Sequence, residues 1–167
     1  MHPEIPFLDL KRQLWVDRNL IETACRRVLD SGQLILGREV SKFEAAFAEF
    51  NGAKYCVGVA NGIDAIVAML AALGIGRGDE VLVPSNTYIA TWLAVTAVGA
   101  TIVPIEPDPD TFNLTAESCA AKINSRTRAI LAVHVYGRPC NTAGLQAEVE
   151  RHGLRLIYDA AHAFGVR

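Results

Sequence analysis

The fold is decided by the stretch EVLVPSNTYIATWLAVTAVGATIVPI, residues 80–105. Within it, Glu80–Val83 predicts a short strand that Pro84 closes. Tyr88–Val98 predicts a helix, and Thr101–Ile105 predicts a second strand. The strands are nearly continuous Val, Leu and Ile without polar alternation, which is typical of strands buried on both faces of a parallel sheet. This strand–helix–strand unit predicts an α/β fold with right-handed crossovers.

The same alternation continues on both sides of this stretch. Before it, the pattern predicts helices over 12–30 and 39–50, with Ser31-Gly32 as the stop of the first, a strand over Tyr55–Ala60 and a helix over 61–73. After it, the pattern predicts a loop over 106–115, a short helix from Thr115 to Ile123, a strand over 129–135, a helix over 142–152 and a strand over 154–158. The chain therefore predicts a mostly parallel sheet covered by helices.

The composition excludes several classes of function. The chain is 51% hydrophobic and 20% charged, and its net charge of -2 gives no electrostatic reason to bind nucleic acid or an anionic membrane. We find no signal peptide, and no apolar run reaches the roughly 20 residues that span a bilayer. The cysteines form no Cys-x-x-Cys pair, so we expect reduced thiols in a cytoplasmic protein without a metal site; they are Cys25, Cys56, Cys119 and Cys140.

Ligands of parallel sheets bind beyond the carboxyl ends of the strands, so the polar residues that follow strands are the candidates for a site. Asn61 can cap the helix that begins at Gly62, and Asp64 can bond back as in a capping box. The free N–H groups at such a helix start, including that of Ile63, also suit a phosphate. The residues leave both alternatives open, simple capping and an anion site.

The other polar residues that follow strands also have both a functional and a structural interpretation. Tyr88 could stack on a flat cofactor, or it could pack half-buried. Asp159 ends an apolar strand and could pair with a pyridinium nitrogen or cap the next turn, and His162 could reach a cofactor oxygen. We interpret His134 as a satisfied loop or core histidine, and His152 as a cation at a helix end.

Gly74–Asp79, with the sequence GIGRGD, is similar to a dinucleotide-binding fingerprint. It follows a helix and leads into a strand, however, whereas that fingerprint follows a strand and opens a helix. We therefore interpret it as a turn between a helix and a strand.

A series of short motifs runs through nearly the whole chain. The motifs are Pro6–Leu10, Leu29–Gly32, Gly37–Glu44, Val59–Ala65, Leu73–Pro84, Asn86–Thr91, Val133–Gly137 and Asp159–Gly165. In this order they resemble the sugar aminotransferases of the DegT/DnrJ/EryC1/StrS family, pyridoxal-phosphate (PLP) enzymes of the aspartate-aminotransferase fold. The Asn-Gly-x-Asp-Ala form of residues 61–65 is most similar to the branch that aminates dTDP-linked keto-6-deoxyhexoses.

The resemblance implies a role for each candidate residue. Gly62 and Ile63 would offer backbone N–H groups to the PLP phosphate, and Tyr88 would stack on the pyridine ring. Asp159 would pair with the ring nitrogen, and His162 would approach the ring hydroxyl. The implied reaction moves an amino group, which we expect to come from glutamate, to a nucleotide-linked keto-sugar in amino-sugar biosynthesis.

The resemblance also implies parts that this chain lacks. The family's Schiff-base lysine lies downstream of the aspartate, and none of the chain's lysines matches it; they are Lys11, Lys42, Lys54 and Lys122. We expect a helical segment over 1–52 and, over 53–167, an incomplete PLP-binding large domain of fold type I without its last strands and small carboxyl-terminal domain. Such a chain would be inactive alone, and homodimeric only when complete.

The alternative is a non-catalytic relic or binding module of this fold.

In the family fold the strand over Tyr55–Ala60 pairs with the last strand of the sheet. We therefore expect this strand to leave backbone groups unpaired here.

Overall fold

The structure, a computed structural model, describes residues 5–166. The chain divides into two compact units, one up to Gly58 and one from Val59 onward. The first unit contains α1 (Leu10–Val16), α2 (Arg18–Ser31) and α3 (Arg38–Phe50). The second unit contains α4 (Gly62–Ala72), β1 (Glu80–Pro84), α5 (Ile89–Ala97), β2 (Thr101–Ile105), α6 (Ala116–Ala120), β3 (Thr127–Val133), a 3-10 turn (Val135–Gly137), α7 (Thr142–His152) and β4 (Arg155–Asp159). The domain boundary predicted between residues 52 and 53 stays a prediction.

The first helical region differs from its prediction. The single helix predicted over 12–30 is wrong, because Asp17 leaves helical geometry at φ -105° and ψ 13° and separates α1 from α2. Aspartate is a weak helix former, and the side chain of Asp17 makes no capping hydrogen bond to α2. The stop is confirmed: Gly32 ends α2 in the left-handed region at φ 66°.

A parallel four-stranded sheet forms the centre of the second unit, in the order β2-β1-β3-β4. In β1, Leu82 pairs with Val103 of β2 on one side and with Ile130 of β3 on the other. This arrangement confirms the α/β fold that residues 80–105 predict.

Two apolar clusters cover the two faces of the sheet. On one face, Val81 packs with Leu70 of α4 and Val95 of α5. On the other face, Leu82 packs with Leu145 of α7. Neighbouring residues of β1 therefore point to opposite faces and both are buried, which explains why the strand sequence shows no polar alternation. The result is three layers, with helices on each side of the sheet.

The strand predicted over Tyr55–Ala60 is wrong. Within residues 5–166 no strand pairs with this segment, and Tyr55 and Val57 are 75% and 77% exposed. The N–H of Gly58 is satisfied by a side chain instead, donating to Glu44 Oε1 at 2.8 Å. An apolar run forms a strand only where a neighbouring strand makes hydrogen bonds to its backbone groups. The local sequence does not contain that neighbouring strand.

The carboxyl ends of two strands differ slightly from their predicted bounds. The third strand ends at Val133, and the next residues turn into the 3-10 segment. Asp159 is the last residue of β4 rather than the first residue after it. None of the helices described in residues 5–166 combines the length and the hydropathy of a membrane span.

Candidate active site

The carboxyl ends of β1, β3 and β4 lie at one edge of the sheet because the strands are parallel. A cavity of about 580 Å³ opens at this edge, within the usual size range of small-molecule sites. Its lining includes every residue that the sequence singles out for the cofactor: Gly62, Ile63, Tyr88, Asp159 and His162. The other lining residues are Asn61, Ile66, Asn86, Thr87, Ala90, Val133, Val135, Tyr136 and Ala161.

One side of the cavity is formed by the start of α4. Asn61 Oδ1 accepts a hydrogen bond from the N–H of Asp64 at 2.9 Å, and Asn61 Nδ2 donates to Asp64 Oδ2 at 3.0 Å. Asp64 therefore bonds the side chain of Asn61, where the predicted capping box would have it bond the backbone. The N–H groups of Gly62 and Ile63 have no acceptor within the helix, since they belong to its first turn. They lie at the positive end of the helix dipole, where an anion is favoured.

The carboxylate of Asp159 is held at both of its oxygens. Oδ1 accepts from the N–H of Ala161 at 3.1 Å, and Oδ2 accepts from Thr91 Oγ1 at 3.3 Å. The main-chain carbonyl of the same residue accepts from the N–H of His134 at 3.0 Å. These bonds fix the carboxylate at the end of β4, and its remaining lone pairs can accept a further donor.

An aromatic wall, made of Tyr136 and His162, borders the cavity. The two rings stack with centroids 6.5 Å apart and planes at 15°. The backbones also approach closely, because a Cβ at Gly137 would lie 2.9 Å from the carbonyl oxygen of His162. Gly137 also has φ 81°. This position therefore favours glycine both because of its positive φ and because of the close approach of the two backbones.

Tyr88 immediately precedes α5 and reaches the cavity from the end of β1. It is 76% exposed, so it does not match the alternative of a half-buried packing residue. Its exposed ring offers a flat apolar surface to a planar ligand.

His134 lies beside this site, and its interactions agree with the prediction of a satisfied histidine. Its Nδ1 accepts from the N–H of Cys140 at 3.1 Å, and its ring stacks on Tyr158 at 5.0 Å. Burial lowers the pKa of His134, and the charge of Asp159 opposes that shift. The neutral ring, with its proton on Nε2, suits the bond from Cys140.

Gly74–Asp79 connects α4 to the amino end of β1, at the other end of the strand from the cavity. The N–H of Gly76 donates to Asp79 Oδ2 at 3.0 Å, and Gly74 and Gly78 have φ of 71° and 93°. The turn interpretation is confirmed, and the dinucleotide fingerprint lacks its structural context.

Thr91 and Tyr136 lie in motifs that resemble the family, but sequence reasoning assigned neither of them a role in the site. Thr91 is fully buried, and it is one of two threonines in a mostly apolar helix, α5. Tyr136 has φ 55°, which is unusual for a side chain of its size and marks a constrained turn after β3.

A family model, described as the DegT/DnrJ/EryC1/StrS aminotransferase family, matches residues 16–167. The chain belongs to this family. The resemblance stated from the motifs is thereby confirmed. Aminotransferases of the family depend on PLP, and a carboxylate and free helix N–H groups in one cavity are the donor and acceptor set that a phosphorylated pyridine requires.

Curated relatives of the family match nearly the whole chain. It is 49% identical over 161 residues to the dTDP-3-amino-3,6-dideoxy-alpha-D-galactopyranose transaminase of Aneurinibacillus thermoaerophilus, covering 96% of this chain and 44% of the relative. It is 49% identical over 165 residues to the dTDP-3-amino-3,4,6-trideoxy-alpha-D-glucose transaminase of Streptomyces venezuelae, covering 99% and 44%. The chain therefore spans less than half the length of these relatives.

Solved structures agree with the fold. The crystal structure of S. venezuelae DesV matches with a TM-score of 0.94 and 48% identity, covering 96% of this chain and 44% of that one. The structure of NtdA from Bacillus subtilis, with bound cofactor PMP (pyridoxamine phosphate), matches with a TM-score of 0.93 and 30% identity, covering 98% and 39%. These matches confirm the prediction of a PLP fold of type I.

Proposed function

We propose that this chain forms the cofactor-binding part of a PLP-dependent aminotransferase that acts on nucleotide-linked keto-sugars in amino-sugar biosynthesis. The observation that carries the proposal is the presence of the Asp159 carboxylate and the start of α4 in one cavity. The names of the two relatives at 49% identity support a dTDP-linked sugar as the substrate class.

Each residue has a chemical task in this proposal. PLP supplies an electron sink and a carrier for the amino group. Asp159 accepts the hydrogen bond of the ring nitrogen and, as a nearby anion, keeps that nitrogen protonated. The N–H groups of Gly62 and Ile63 bind the phosphate at the end of the α4 dipole. Tyr88 stacks on the pyridine ring, and His162 donates to the ring hydroxyl.

The amino donor, assembly and compartment belong to the same proposal. We take glutamate as the donor, following the family resemblance. A homodimer of the complete protein is supported by the exposed apolar side chains of the first unit, since Trp15, Ile35 and Leu36 are 64%, 85% and 78% exposed. A cytoplasmic location is supported by the free thiols of Cys119 and Cys140.

The test is a single half-reaction in protein that contains, besides this chain, the downstream lysine segment that the family resemblance implies. The protein is loaded with PMP and mixed with a dTDP-linked keto-6-deoxyhexose, and conversion of PMP to PLP is followed by absorbance. We expect conversion in the wild type and its loss in Asp159→Asn. The control is Asp110→Asn, an exposed acid outside the cavity lining, which should react like the wild type. Absence of conversion with every nucleotide-linked keto-sugar would contradict the proposal.

A non-catalytic binding module is the second candidate, favoured by one observation. No lysine is among the described residues that line the cavity, so these residues alone hold the cofactor without a covalent bond. This candidate predicts that PMP binds in an Asp159-dependent way but that no keto-sugar converts it. The half-reaction therefore separates the two candidates.

A further inference from the structure

The strongest unassigned feature of the site is the hydroxyl of Thr91 on α5. Thr91 is 0% exposed, and a buried hydroxyl destabilises the fold unless it is hydrogen-bonded. In a helix such a hydroxyl usually bonds a carbonyl of its own preceding turn. Thr96 on the same helix does so, because its Oγ1 donates to the carbonyl of Leu93 at 2.9 Å.

Thr91 instead joins two side chains. Its Oγ1 lies 3.3 Å from Asp159 Oδ2, which is 68 residues away in sequence, and 2.9 Å from Thr87 Oγ1. An ionised carboxylate only accepts hydrogen bonds, so the single hydroxyl proton of Thr91 is donated to Asp159. The oxygen of Thr91 is then the acceptor, and Thr87 must donate to it. The three residues form a directional relay, Thr87 to Thr91 to Asp159.

The relay completes the hold on the carboxylate. Ala161 donates its N–H to Oδ1, while Thr91 donates to Oδ2, so the carboxylate plane is fixed by donors from two different elements. The donor on α5 is buried, whereas Ala161 is an exposed residue of the segment after β4. The hydrogen bond from Thr91 therefore orients the carboxylate of Asp159 relative to α5.

We propose that Thr91, supported by Thr87, is a positioning residue that orients the Asp159 carboxylate toward the ring nitrogen of the cofactor. The inference rests on the proposed function, because it assumes that Asp159 faces that nitrogen. It adds a side chain that does not touch the cofactor and acts only through Asp159.

The test compares Thr91→Val with the wild type, Thr91→Ser and Thr96→Val, in full-length protein. The probe is PMP isotopically labelled at the ring nitrogen, whose NMR shift reports protonation as a function of pH. Thr91→Val should bind PMP roughly tenfold more weakly, the effect of one lost hydrogen bond. Its ring nitrogen should also lose the proton at lower pH than in the wild type. Thr91→Ser should restore both properties, and the helix control Thr96→Val should leave both unchanged.

Asp159→Asn separates failure of this inference from failure of the proposed function. If Asp159→Asn changes the titration and Thr91→Val does not, the relay is overturned and the proposed function stands. If Asp159→Asn also matches the wild type, both are overturned. Should Thr91→Val not fold, Thr87→Val carries the test, because Thr87 precedes the helix and is only half-buried. It should shift the titration in the same direction by a smaller amount, and an unshifted titration would overturn the relay.

Discussion

Gly62 shows how a single backbone N–H can be tested. It is the first residue of α4, where proline is tolerated, and Asn61 before it is already extended at φ -163°. Gly62→Pro is expected to fold like the wild type and to bind PMP roughly tenfold more weakly, because one N–H to a phosphate oxygen is lost. Calorimetric titration with PMP, and with pyridoxamine as the ligand that lacks the phosphate, measures the effect.

The matched control is Gly62→Ala, which keeps the N–H and whose Cβ would meet no atom of the described residues within 4 Å, apart from its chain neighbours and its own helix turn. It should bind PMP more tightly than Gly62→Pro does. Equal losses for PMP and pyridoxamine in Gly62→Pro would show that this N–H does not bind the phosphate.

His134 is a single side chain that we expect to make the free energy of unfolding depend on pH. Burial lowers its pKa below the ordinary 6.5, so the unfolded chain takes up a proton before the folded chain does. The contribution of His134 is therefore complete above pH 6.5 and is lost as the pH falls toward the lowered folded pKa. His134→Asn keeps an acceptor for Cys140 but does not titrate. As the pH falls below 6.5, urea unfolding should show the free energy of unfolding of the wild type decreasing relative to that of His134→Asn. A difference between the two proteins that does not change with pH would contradict this expectation.

At the scale of elements, the 3-10 turn after β3 and the segment after β4 must approach each other closely. Gly137 and Gly153 both have positive φ, 81° and 64°, but only a Cβ at Gly137 would meet the carbonyl oxygen of His162. Gly153→Ala should therefore cost only the backbone strain, about 1 kcal/mol. Gly137→Ala should cost more and should also weaken PMP binding, because it displaces His162. Thermal unfolding and PMP titration of both variants test this, and equal behaviour would exclude a role for the close approach.

At the scale of the whole molecule, stability depends on a sheet that is buried on both faces. Leu82 at the centre of β1 is 0% exposed, so Leu82→Ala should lower the free energy of unfolding by about 2–5 kcal/mol. Leu93 on α5 is 49% exposed, and Leu93→Ala should cost less than about 1 kcal/mol. Urea unfolding of the two variants provides the comparison, and similar losses would contradict the burial of β1 in the core.

The sequence predicts those parts of the molecule that depend on local pattern. Residues 80–105 contain both strands and the helix of one parallel unit, so the fold class follows from them. Tyr55–Ala60 has the apolar pattern of a strand, but a strand also requires a partner, and within the described residues it has none. The family resemblance, and not the local pattern, leads us to expect that this partner is absent. The hydrogen bond between Thr91 and Asp159 could not be predicted from a local pattern either, since it joins residues 68 positions apart. Positions at strand ends could be predicted because parallel strands bring them to one edge.

The most direct test of the account is the affinity of the protein for PMP with and without the carboxylate of Asp159. Calorimetric titration compares the wild type, Asp159→Ala and the exposed-acid control Asp110→Ala. We expect saturable binding of PMP by the wild type and by Asp110→Ala, and a loss of at least roughly tenfold in Asp159→Ala, because a charged hydrogen bond to the ring nitrogen is removed. Equal affinity of all three proteins, or no binding by the wild type, would contradict the assignment of this cavity to the cofactor.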